Sequence, residues 1–356
     1  MMASLWVRRL LTSCDGIGNK LVRAASSFDS VMKPLEGFKP TPSFKITVVG
    51  SGQVGTAVAA FLLARNLTKN LVIHDVKYDL ATSEALDFSH ASAFLGNPIV
   101  RACGDGNRTK NSDVIIITAG ARPSGKTRSR LDVMHKTVEI LKSVVPKLAK
   151  LSPKAVFIVI CNPADVMTFA VQRIGNLEKH RCFTTGCHLD TARFRYLIAK
   201  RLKVPTSDVK GYVIGEHGST AVPVWSSVTV GGIRLSDIVK DLGTAKDAEK
   251  WSDLVDGILN AGVHVSKAKG YTNWAVGLTT SDVVACMLQN TGKVCCVGTD
   301  VKGLYCLKDS VVLSVPCRVT ANGISHIMEL PLTEDEHKNL LKSADTLLSA
   351  QCSLKW

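Results

Sequence analysis

The chain has 356 residues, of which 46% are hydrophobic and 21% charged, and it carries a formal net charge of +14. This length allows two domains or one large one, each with its own core, and the longest apolar runs are shorter than the roughly 20 residues of a membrane-spanning helix. The basic residues are scattered through helical patterns and are not interleaved with aromatics, so we expect small anionic ligands and neither a specific nucleic-acid partner nor a membrane.

Eleven cysteines are present, but their number is odd and no C-x-x-C pair occurs. Cys295 and Cys296 are adjacent, a spacing that favours neither a disulfide framework nor a zinc site. We therefore expect reduced, mostly buried thiols and no bound metal.

The first 44 residues have the composition of a targeting segment. Arg8 and Arg9 lie within an apolar stretch, one acidic residue precedes Asp29, and a small-residue RAASS segment follows. This pattern favours a mitochondrial transit peptide, and a disordered or partner-embracing arm of a cytoplasmic protein is the alternative. The proline-containing segment 33–44 is typical of a linker, so folded structure is expected to begin near Lys45.

A glycine-rich turn follows the first predicted strand. The β-rich run KITVVG (45–50) leads into Gly50, Gly52 and Gly55 and then into an alanine- and leucine-rich helical segment. Strand, G-x-G-x-x-G turn and helix form the dinucleotide fingerprint, in which the turn and the helix amino terminus bind a pyrophosphate. Gln53 and Val54, between the glycines, are included among the candidate cofactor-binding residues.

The second predicted strand, LVIHD (71–75), ends in Asp75, twenty residues after Gly55. A carboxylate there can accept hydrogen bonds from the adenosine ribose and repels the extra phosphate of NADP, so NAD is the predicted cofactor. The alternative is that Asp75 serves only as a turn residue at the end of the strand.

Two further strands, DVIIITAG (113–120) and AVFIVICNPAD (155–165), continue the alternation of strands and helices. This alternation predicts a Rossmann-type, doubly wound parallel sheet of the α/β class, with ligands beyond the carboxyl ends of the strands. Gly120, Arg122 and Asn162 would lie at that edge, although an asparagine before proline also commonly caps a turn.

The second half of the chain offers an acid, a base and a guanidinium group. Asp190 and Arg193 lie three residues apart in an amphipathic helical segment (186–202) and so share one helix face. They could form a surface ion pair or serve as functional groups. His217 follows an apolar run and is flanked by Glu216 and Gly218, and it could equally be a structural loop histidine. Beside a dinucleotide fold, these groups suit hydride transfer to a 2-keto acid: the histidine exchanges the proton, the aspartate orients it, and the arginine binds a carboxylate.

From about Lys45 to its end, the sequence resembles the L-lactate dehydrogenases of the lactate/malate dehydrogenase superfamily. The blocks that carry the resemblance occur in the family's order: KITVVGSGQVG, ITAGAR, NPAD, LDTARFRYL, GEHGSTAVPVWS, KGYTNWAVGL, KGLY, LSVPC and KSADTLL. It implies an NAD-binding domain over 45–186, a mixed α+β catalytic domain over 187–356 and an extension or linker over 1–44. It also implies a homotetramer, and a segment around 272–291 that packs on the nucleotide-binding domain.

The resemblance also implies roles for individual residues. His217 would be the acid/base catalyst with Asp190 as its partner, and Arg193 would bind the substrate carboxylate. The remaining assignments are substrate-binding residues (Asn162, Thr272, Ser124) and cofactor-binding residues (Gly50, Gly52, Gly55, Asp75, Arg122, Asn162, Val276).

A mobile loop of the family delivers an arginine that polarises the reacting carbonyl. Aligning the helical segment RLDVMHKTVEI, which begins at Arg130, with the family nominates Arg130, whereas the spacing of the GKTR segment nominates Arg128. The first alignment places the substrate-discriminating position at Pro123 or Ser124. The second places it at Arg122, which would imitate malate dehydrogenases.

A pocket lined by serine should accept small uncharged side chains, so lactate and pyruvate are the expected substrates, in lactate and pyruvate metabolism and glycolysis. The alternatives are a malate or broader 2-hydroxy acid dehydrogenase, and a catalytically impaired relative with a binding or structural role. Gly262, His188 and Ser219 stand where the family usually has alanine, asparagine and aspartate, which bears on catalytic rate more than on reaction type.

Overall fold

The structure is a computed structural model that describes residue 37 and residues 43–121 and 130–355, with Arg130 described for its backbone only. All the helices and strands below belong to one compact unit, Phe44–Trp356. The predicted targeting segment lies outside the described residues apart from a few positions, and its boundary stays a prediction. The first strand begins at Lys45, where folded structure was expected to start.

The helices of the described part are α1 (Gln53–Ala64), α2 (Tyr78–His90), α3 (Arg130–Leu151), α4 (Ala164–Gly175), α5 (His188–Leu202), α6 (Leu254–Leu259), α7 (Ala261–Lys269), α8 (Trp274–Leu288) and α9 (Glu334–Cys352). The strands are β1 (Lys45–Val49), β2 (Asn70–His74), β3 (Ile99–Cys103), β4 (Val114–Ile117), β5 (Val156–Val159), β6 (Cys182–Thr184), β7 (Val209–Lys210), β8 (Val213–Ile214), β9 (Val222–Pro223), β10 (Thr229–Val230), β11 (Ile233–Arg234), β12 (Val294–Asp300), β13 (Val312–Thr320) and β14 (Gly323–Ile327).

A central sheet has the strand order β3-β2-β1-β4-β5-β6-β12-β13-β14. Its first six strands are parallel, and β12, β13 and β14 add an antiparallel extension. Strand order reverses at β1, which is the switch point where doubly wound sheets bind dinucleotides. The predicted fold class, a doubly wound parallel sheet followed by a mixed α+β second half, is confirmed.

The central parallel strands are short and continuously apolar, because they are buried on both faces and every residue faces the core. Strands β4 (VIII) and β5 (VFIV) are entirely buried, the pattern expected where helices cover both sides of a parallel sheet. Val49, the last residue of β1, is aligned with His74 and with Ile117, the ends of the two neighbouring strands. The loops that follow these strands therefore leave the sheet along one edge.

Helix α8 packs against α1, as the resemblance implied. A side chain at Gly277 would have its Cβ 2.8 Å from Cδ2 of Phe61, so glycine allows the two helices to approach closely. The rings of Phe61 and Trp274 also meet edge to face, with centroids 6.0 Å apart. A late segment of the chain is thereby held against the nucleotide-binding half.

The second half also holds two small sheets, β11-β10-β7 and β8-β9. The loop after β8 is fastened to β13 by paired backbone hydrogen bonds between Gly215 and Ser314, at 2.8 and 2.9 Å. Helix α9 begins with a capping box formed by Thr333 and Glu336. Among the described helices, none combines the length and apolarity required to cross a bilayer.

Candidate active site

The glycine-rich turn after β1 forms a cradle that side chains would fill. Gly50 has a φ of +100°, and a Cβ there would lie 2.8 Å from the backbone nitrogen of Ala119. A Cβ at Gly55 would lie only 1.8 Å from the carbonyl oxygen of Gly50. Both positions therefore require glycine, because helix α1 packs directly against the end of the strand.

The amino terminus of α1 opens towards the cradle. Gly52 is the N-cap and contributes no side-chain capping bond, and Gly52 and Gln53 are exposed while Val54 is partly buried. The first N–H groups of the helix therefore face the space above the sheet, together with the positive end of the helix dipole. These residues fit the pyrophosphate of a dinucleotide.

Asp75 follows β2 and supports the same turn. Its carboxylate accepts hydrogen bonds from the backbone N–H of Ser51 at 2.7 Å, from the Ser51 hydroxyl at 2.9 Å and from the N–H of Lys77 at 2.8 Å. Burial raises the pKa of Asp75, but these hydrogen bonds outweigh it and hold the pKa below its usual value. The carboxylate is therefore charged at neutral pH and, with about four acceptor sites, can also accept ribose hydroxyls.

Two more predicted residues lie beyond the carboxyl ends of parallel strands. Gly120 follows β4 and Asn162 follows β5, and both are exposed. With Gly50 and Asp75, they place residues predicted to bind cofactor and substrate after four strands at one edge of the sheet. The sequence prediction that these residues share an edge is met by the topology.

A histidine and an arginine share one buried carboxylate. His217 Nδ1 lies 2.6 Å from Asp190 Oδ2, and Arg193 Nη1 donates to Asp190 Oδ1 at 2.8 Å. Asp190 is 4% exposed, whereas the side chains of His217 and Arg193 are 27% and 20% exposed. The carboxylate is thus enclosed while the imidazole and the guanidinium reach solvent, and Nε2 is left to exchange a proton.

The charges of the pair reinforce each other. Burial lowers the pKa of His217, but the Asp190 carboxylate outweighs it, so the pKa lies above the usual value of 6.5. Burial likewise raises the pKa of Asp190, and His217 and Arg193 reverse this and hold it below its usual value. Asp190 stays ionised and stabilises the imidazolium form.

Sequence reasoning missed Asp165, which holds the backbone of the histidine loop. Its Oδ2 accepts the N–H of His217 at 2.7 Å, and it is 2% exposed in the first turn of α4. Burial raises the pKa of Asp165 to about 7, and its Oδ1 has no hydrogen-bond partner among the described residues. The signal was an acidic residue among the apolar residues of ADVMTFAV, directly after a strand end.

Comparison with known proteins identifies the family of the chain. The family model described as lactate/malate dehydrogenase, NAD binding domain, matches residues 44–184, and the one described as lactate/malate dehydrogenase, alpha/beta C-terminal domain, matches residues 187–353. The L-lactate dehydrogenase B-A chain of Danio rerio is 40% identical over 332 residues, which cover 93% of this chain and 99% of that protein. The L-lactate dehydrogenase B chains of Bos taurus and Homo sapiens are each 40% identical over 314 residues, or 88% of this chain and 94% of theirs.

The chain belongs to the lactate/malate dehydrogenase family. The resemblance predicted from the sequence blocks is confirmed, and so is NAD as the cofactor. The protein is therefore an NAD-dependent dehydrogenase, and its glycine cradle and Asp75 are the groups that would hold the adenosine half of the cofactor.

The structure places two other predicted residues of this dehydrogenase at helix α8. Thr272 lies two positions before the helix and Val276 lies within it, both partly buried. The helix packs on α1 and is also tied to α5, because His188 Nε2 lies 3.0 Å from Asp282 Oδ2. Thr272 and Val276 thus lie on the element that joins the nucleotide half to the helix of Asp190.

The loop arginines of this dehydrogenase lie outside the described residues. Arg122, Ser124 and Arg128 belong to the undescribed segment 122–129, and Arg130 is described only as the first backbone position of α3. The choice between Arg128 and Arg130, and the contacts of Arg122 and Ser124, stay predictions.

Two departures from the family pattern are visible near the site. A Cβ at Gly262, in α7, would meet no heavy atom within 4 Å, so this glycine leaves open space. Ser219 is exposed two residues after His217. Neither change disturbs the bonds between His217, Asp190 and Arg193.

Proposed function

We propose that this dehydrogenase interconverts L-lactate and pyruvate. The observation that carries the proposal is the shared carboxylate of Asp190, which orients the imidazole of His217 and the guanidinium of Arg193 at 2.6 and 2.8 Å. Its relatives with 40% identity are named L-lactate dehydrogenases. Bound NAD supplies the acceptor for the hydride, and NADH supplies the donor.

The residues of the chain supply the proton transfer and the orientation of the substrate. In lactate oxidation, Nε2 of His217 accepts the hydroxyl proton as the hydride leaves the same carbon, and in pyruvate reduction it returns that proton to the carbonyl oxygen. Asp190 fixes the tautomer that carries the proton on Nδ1 and stabilises the imidazolium. Arg193 binds the substrate carboxylate through its planar fork.

The remaining roles follow the family resemblance. Arg130, with Arg128 as the alternative, would polarise the reacting carbonyl from the loop that closes over the substrate. Ser124, Thr272 and Asn162 would line the substrate pocket. A serine-lined pocket suits the methyl group of pyruvate better than the second carboxylate of oxaloacetate.

A parallel substrate assay tests the proposal. NADH oxidation would be followed with pyruvate, oxaloacetate and 2-ketobutyrate, in the unmodified chain and in His217→Ala. We expect the highest kcat/KM with pyruvate, and loss of turnover in His217→Ala while NADH still binds. Preference for oxaloacetate would assign the chain to malate dehydrogenases, and absence of turnover with all three would make it a binding or structural relative.

Comparing Arg130→Ala with Arg128→Ala would assign the loop arginine. The carbonyl-polarising residue should reduce kcat strongly without weakening NADH binding, while the other substitution should have a small effect. If neither variant loses activity, an arginine outside these two positions polarises the substrate.

We also propose a homotetramer in the mitochondrion. The family resemblance supports the homotetramer. Helix α2 also exposes large apolar side chains that would suit a subunit contact, including Tyr78, Leu80 and Leu86. The composition of residues 1–44 supports the mitochondrial location. Light scattering would give the subunit number, and mass spectrometry of the protein isolated from cells would show whether the first residues are removed.

A further inference from the structure

A second cluster of side chains that can bind metal joins α5, α8 and β12. It is separate from the bonded group of His217, Asp190 and Arg193. One donor atom each from His188, Asp282 and Cys295 lies within 4.8 Å of the other two. Cys286 lies next to them, with its Sγ 4.0 Å from Sγ of Cys295. These four residues are called the thiol cluster below.

Two donor–donor distances in the thiol cluster are near those of a four-coordinate site. His188 Nε2 and Asp282 Oδ2 are 3.0 Å apart, and the two sulfur atoms are 4.0 Å apart. In a tetrahedral zinc site, metal–ligand bonds of about 2.0–2.3 Å place neighbouring donor atoms about 3.3–3.8 Å apart. Asp282 and Cys286 are one helical turn apart on α8 and so share a face. Cys286 is not in the group whose donor atoms lie within 4.8 Å of one another, so its side chain must rotate towards His188 and Asp282 to complete the site.

The Cys295 thiol of the cluster is directed differently from several other buried thiols of the described residues. The thiols of Cys187, Cys296 and Cys317 are directed at backbone carbonyl oxygens, whereas the Cys295 thiol is directed at the sulfur of Cys286. Two sulfur atoms directed at each other beside an imidazole form a soft donor set, which zinc prefers.

Charge and access also suit a divalent cation. Lys293 Nζ lies 2.8 Å from Asp282 Oδ2, and both side chains reach solvent, so an ion can enter along them. With both thiols ionised, the cluster would carry three negative charges, and a divalent metal together with Lys293 would neutralise them. His188 and Lys293 both contact Oδ2 of Asp282, so if Oδ2 binds the metal, Lys293 must move to pair with Oδ1.

We propose that His188, Asp282, Cys286 and Cys295 bind one Zn²⁺ as a structural site. Each thiol loses its proton to solvent as its sulfur bonds the metal. Four protein ligands leave no open position for a substrate, so the site ties α5 to α8 and β12 and takes no part in hydride transfer. The proposal does not depend on which keto acid the enzyme reduces.

Cobalt substitution tests the proposal in the full chain. Co²⁺ would be added to the reduced protein without NADH, and the spectrum would be recorded as the metal is titrated. We expect one Co²⁺ per chain, with a thiolate-to-cobalt charge-transfer band and the visible bands of tetrahedral cobalt, and displacement of the cobalt by Zn²⁺. Zn²⁺ should also raise the Tm as its concentration increases.

Substitutions assign the ligands. His188→Asn and Cys295→Ala should each weaken Co²⁺ binding by at least about 100-fold, beyond the roughly 10–100-fold expected for loss of an outer-shell partner. Cys182→Ala is the matched control, because Cys182 is a fully buried thiol in the same central sheet, and it should bind Co²⁺ like the unmodified chain. NADH binding identifies the variants that have folded. If Cys295→Ala does not fold, Cys286→Ala is used in its place.

Three results would overturn the proposal. The first is a reduced protein that shows no thiolate-to-cobalt band. The second is a set of folded variants, His188→Asn among them, with unchanged cobalt affinity. The third is a disulfide between Cys286 and Cys295 in the isolated protein together with no cobalt uptake after reduction, which would make the pair a redox couple.

Discussion

Asp190 and His217 form the shortest of the bonds described at the active site, with 2.6 Å between Oδ2 and Nδ1. The two residues are 27 positions apart in the chain and come from helix α5 and from the loop after β8. Because Arg193 occupies the other oxygen of the same carboxylate at 2.8 Å, one buried charge orients both the proposed proton-exchanging group and the proposed substrate anchor.

The first prediction concerns the pH profile of an Asp190→Asn variant. Asp190 raises the pKa of His217, and pyruvate reduction needs the protonated imidazole while lactate oxidation needs the neutral one. In the variant, kcat/KM for pyruvate should therefore fall at lower pH than in the unmodified enzyme, and the rise of lactate oxidation should also begin at lower pH. At neutral pH, pyruvate reduction should drop by roughly 100-fold or more.

The profiles of both directions in both proteins would check this prediction. NADH affinity serves as the control, because Asp190 lies outside the glycine cradle. Profiles that keep their midpoints in the variant would show that Asp190 does not set the pKa of the group that exchanges the proton.

The second prediction concerns Arg193→Lys. Lysine keeps the charge but loses the planar fork that binds a carboxylate, so kcat/KM for pyruvate should fall about 10–100-fold, as expected for one charge-assisted hydrogen bond. Steady-state kinetics and NADH titration would measure it, and the Kd of NADH should not change. Arg195→Lys is the matched control, because Arg195 lies on the same helix and donates to the carbonyl of Gly211. Equal losses in both variants would mean that the substitutions disturb helix α5, and not that Arg193 binds the substrate carboxylate through its guanidinium group.

The third prediction concerns the glycine cradle. In Gly55→Ala, the added Cβ would lie 1.8 Å from the carbonyl oxygen of Gly50, so α1 must shift. Unfolding in urea should show a loss of about 1–3 kcal/mol in the free energy of unfolding, and NADH binding should weaken. Gly262→Ala is the control, since its Cβ would meet nothing within 4 Å, and its stability should be unchanged or rise by up to about 1 kcal/mol because alanine favours the helix. Similar behaviour of the two variants would contradict the close packing described for Gly55.

These contacts show which features the sequence could predict. The turn of Gly50 and Gly55 and the strand that ends in Asp75 are local patterns, so chain spacing alone placed them at one sheet edge. The bond between Arg193 and Asp190 also follows from helical spacing. The residues that the sequence prediction lacked depend on contacts between distant segments.

Asp165 and His217 are 52 positions apart, and His188 and Asp282 are 94 apart. No periodicity relates such pairs, because only the order of the strands in the sheet brings them together. Cysteine spacing could not show, for the same reason, that Cys286 and Cys295 meet across a helix and a strand. The expectation of no bound metal stays a prediction, and the proposed zinc site departs from it. The family resemblance supplied the role of His217, whose own surroundings in the sequence also suit a structural histidine.

The last prediction concerns the stability of an Asp165→Asn variant. Burial raises the pKa of Asp165 in the folded protein to about 7, from a usual value of 3.8. Between these values the folded protein holds a proton that the unfolded chain has released. The stability that this proton contributes is therefore fully present below the lower pKa and is lost as the pH rises through the upper one. Asparagine does not titrate, and its side-chain oxygen can still accept the N–H of His217.

The variant should therefore gain stability relative to the unmodified protein as the pH rises from about 4 to 7, by up to about 1.4 kcal/mol per pH unit. Urea unfolding of both proteins across this range would measure the difference. Both proteins contain the other titrating groups, so the contributions of those groups to the pH dependence cancel in the difference. A difference that stays constant with pH would mean that Asp165 is already ionised in the folded protein, and that its buried Oδ1 is stabilised by a partner other than the described residues.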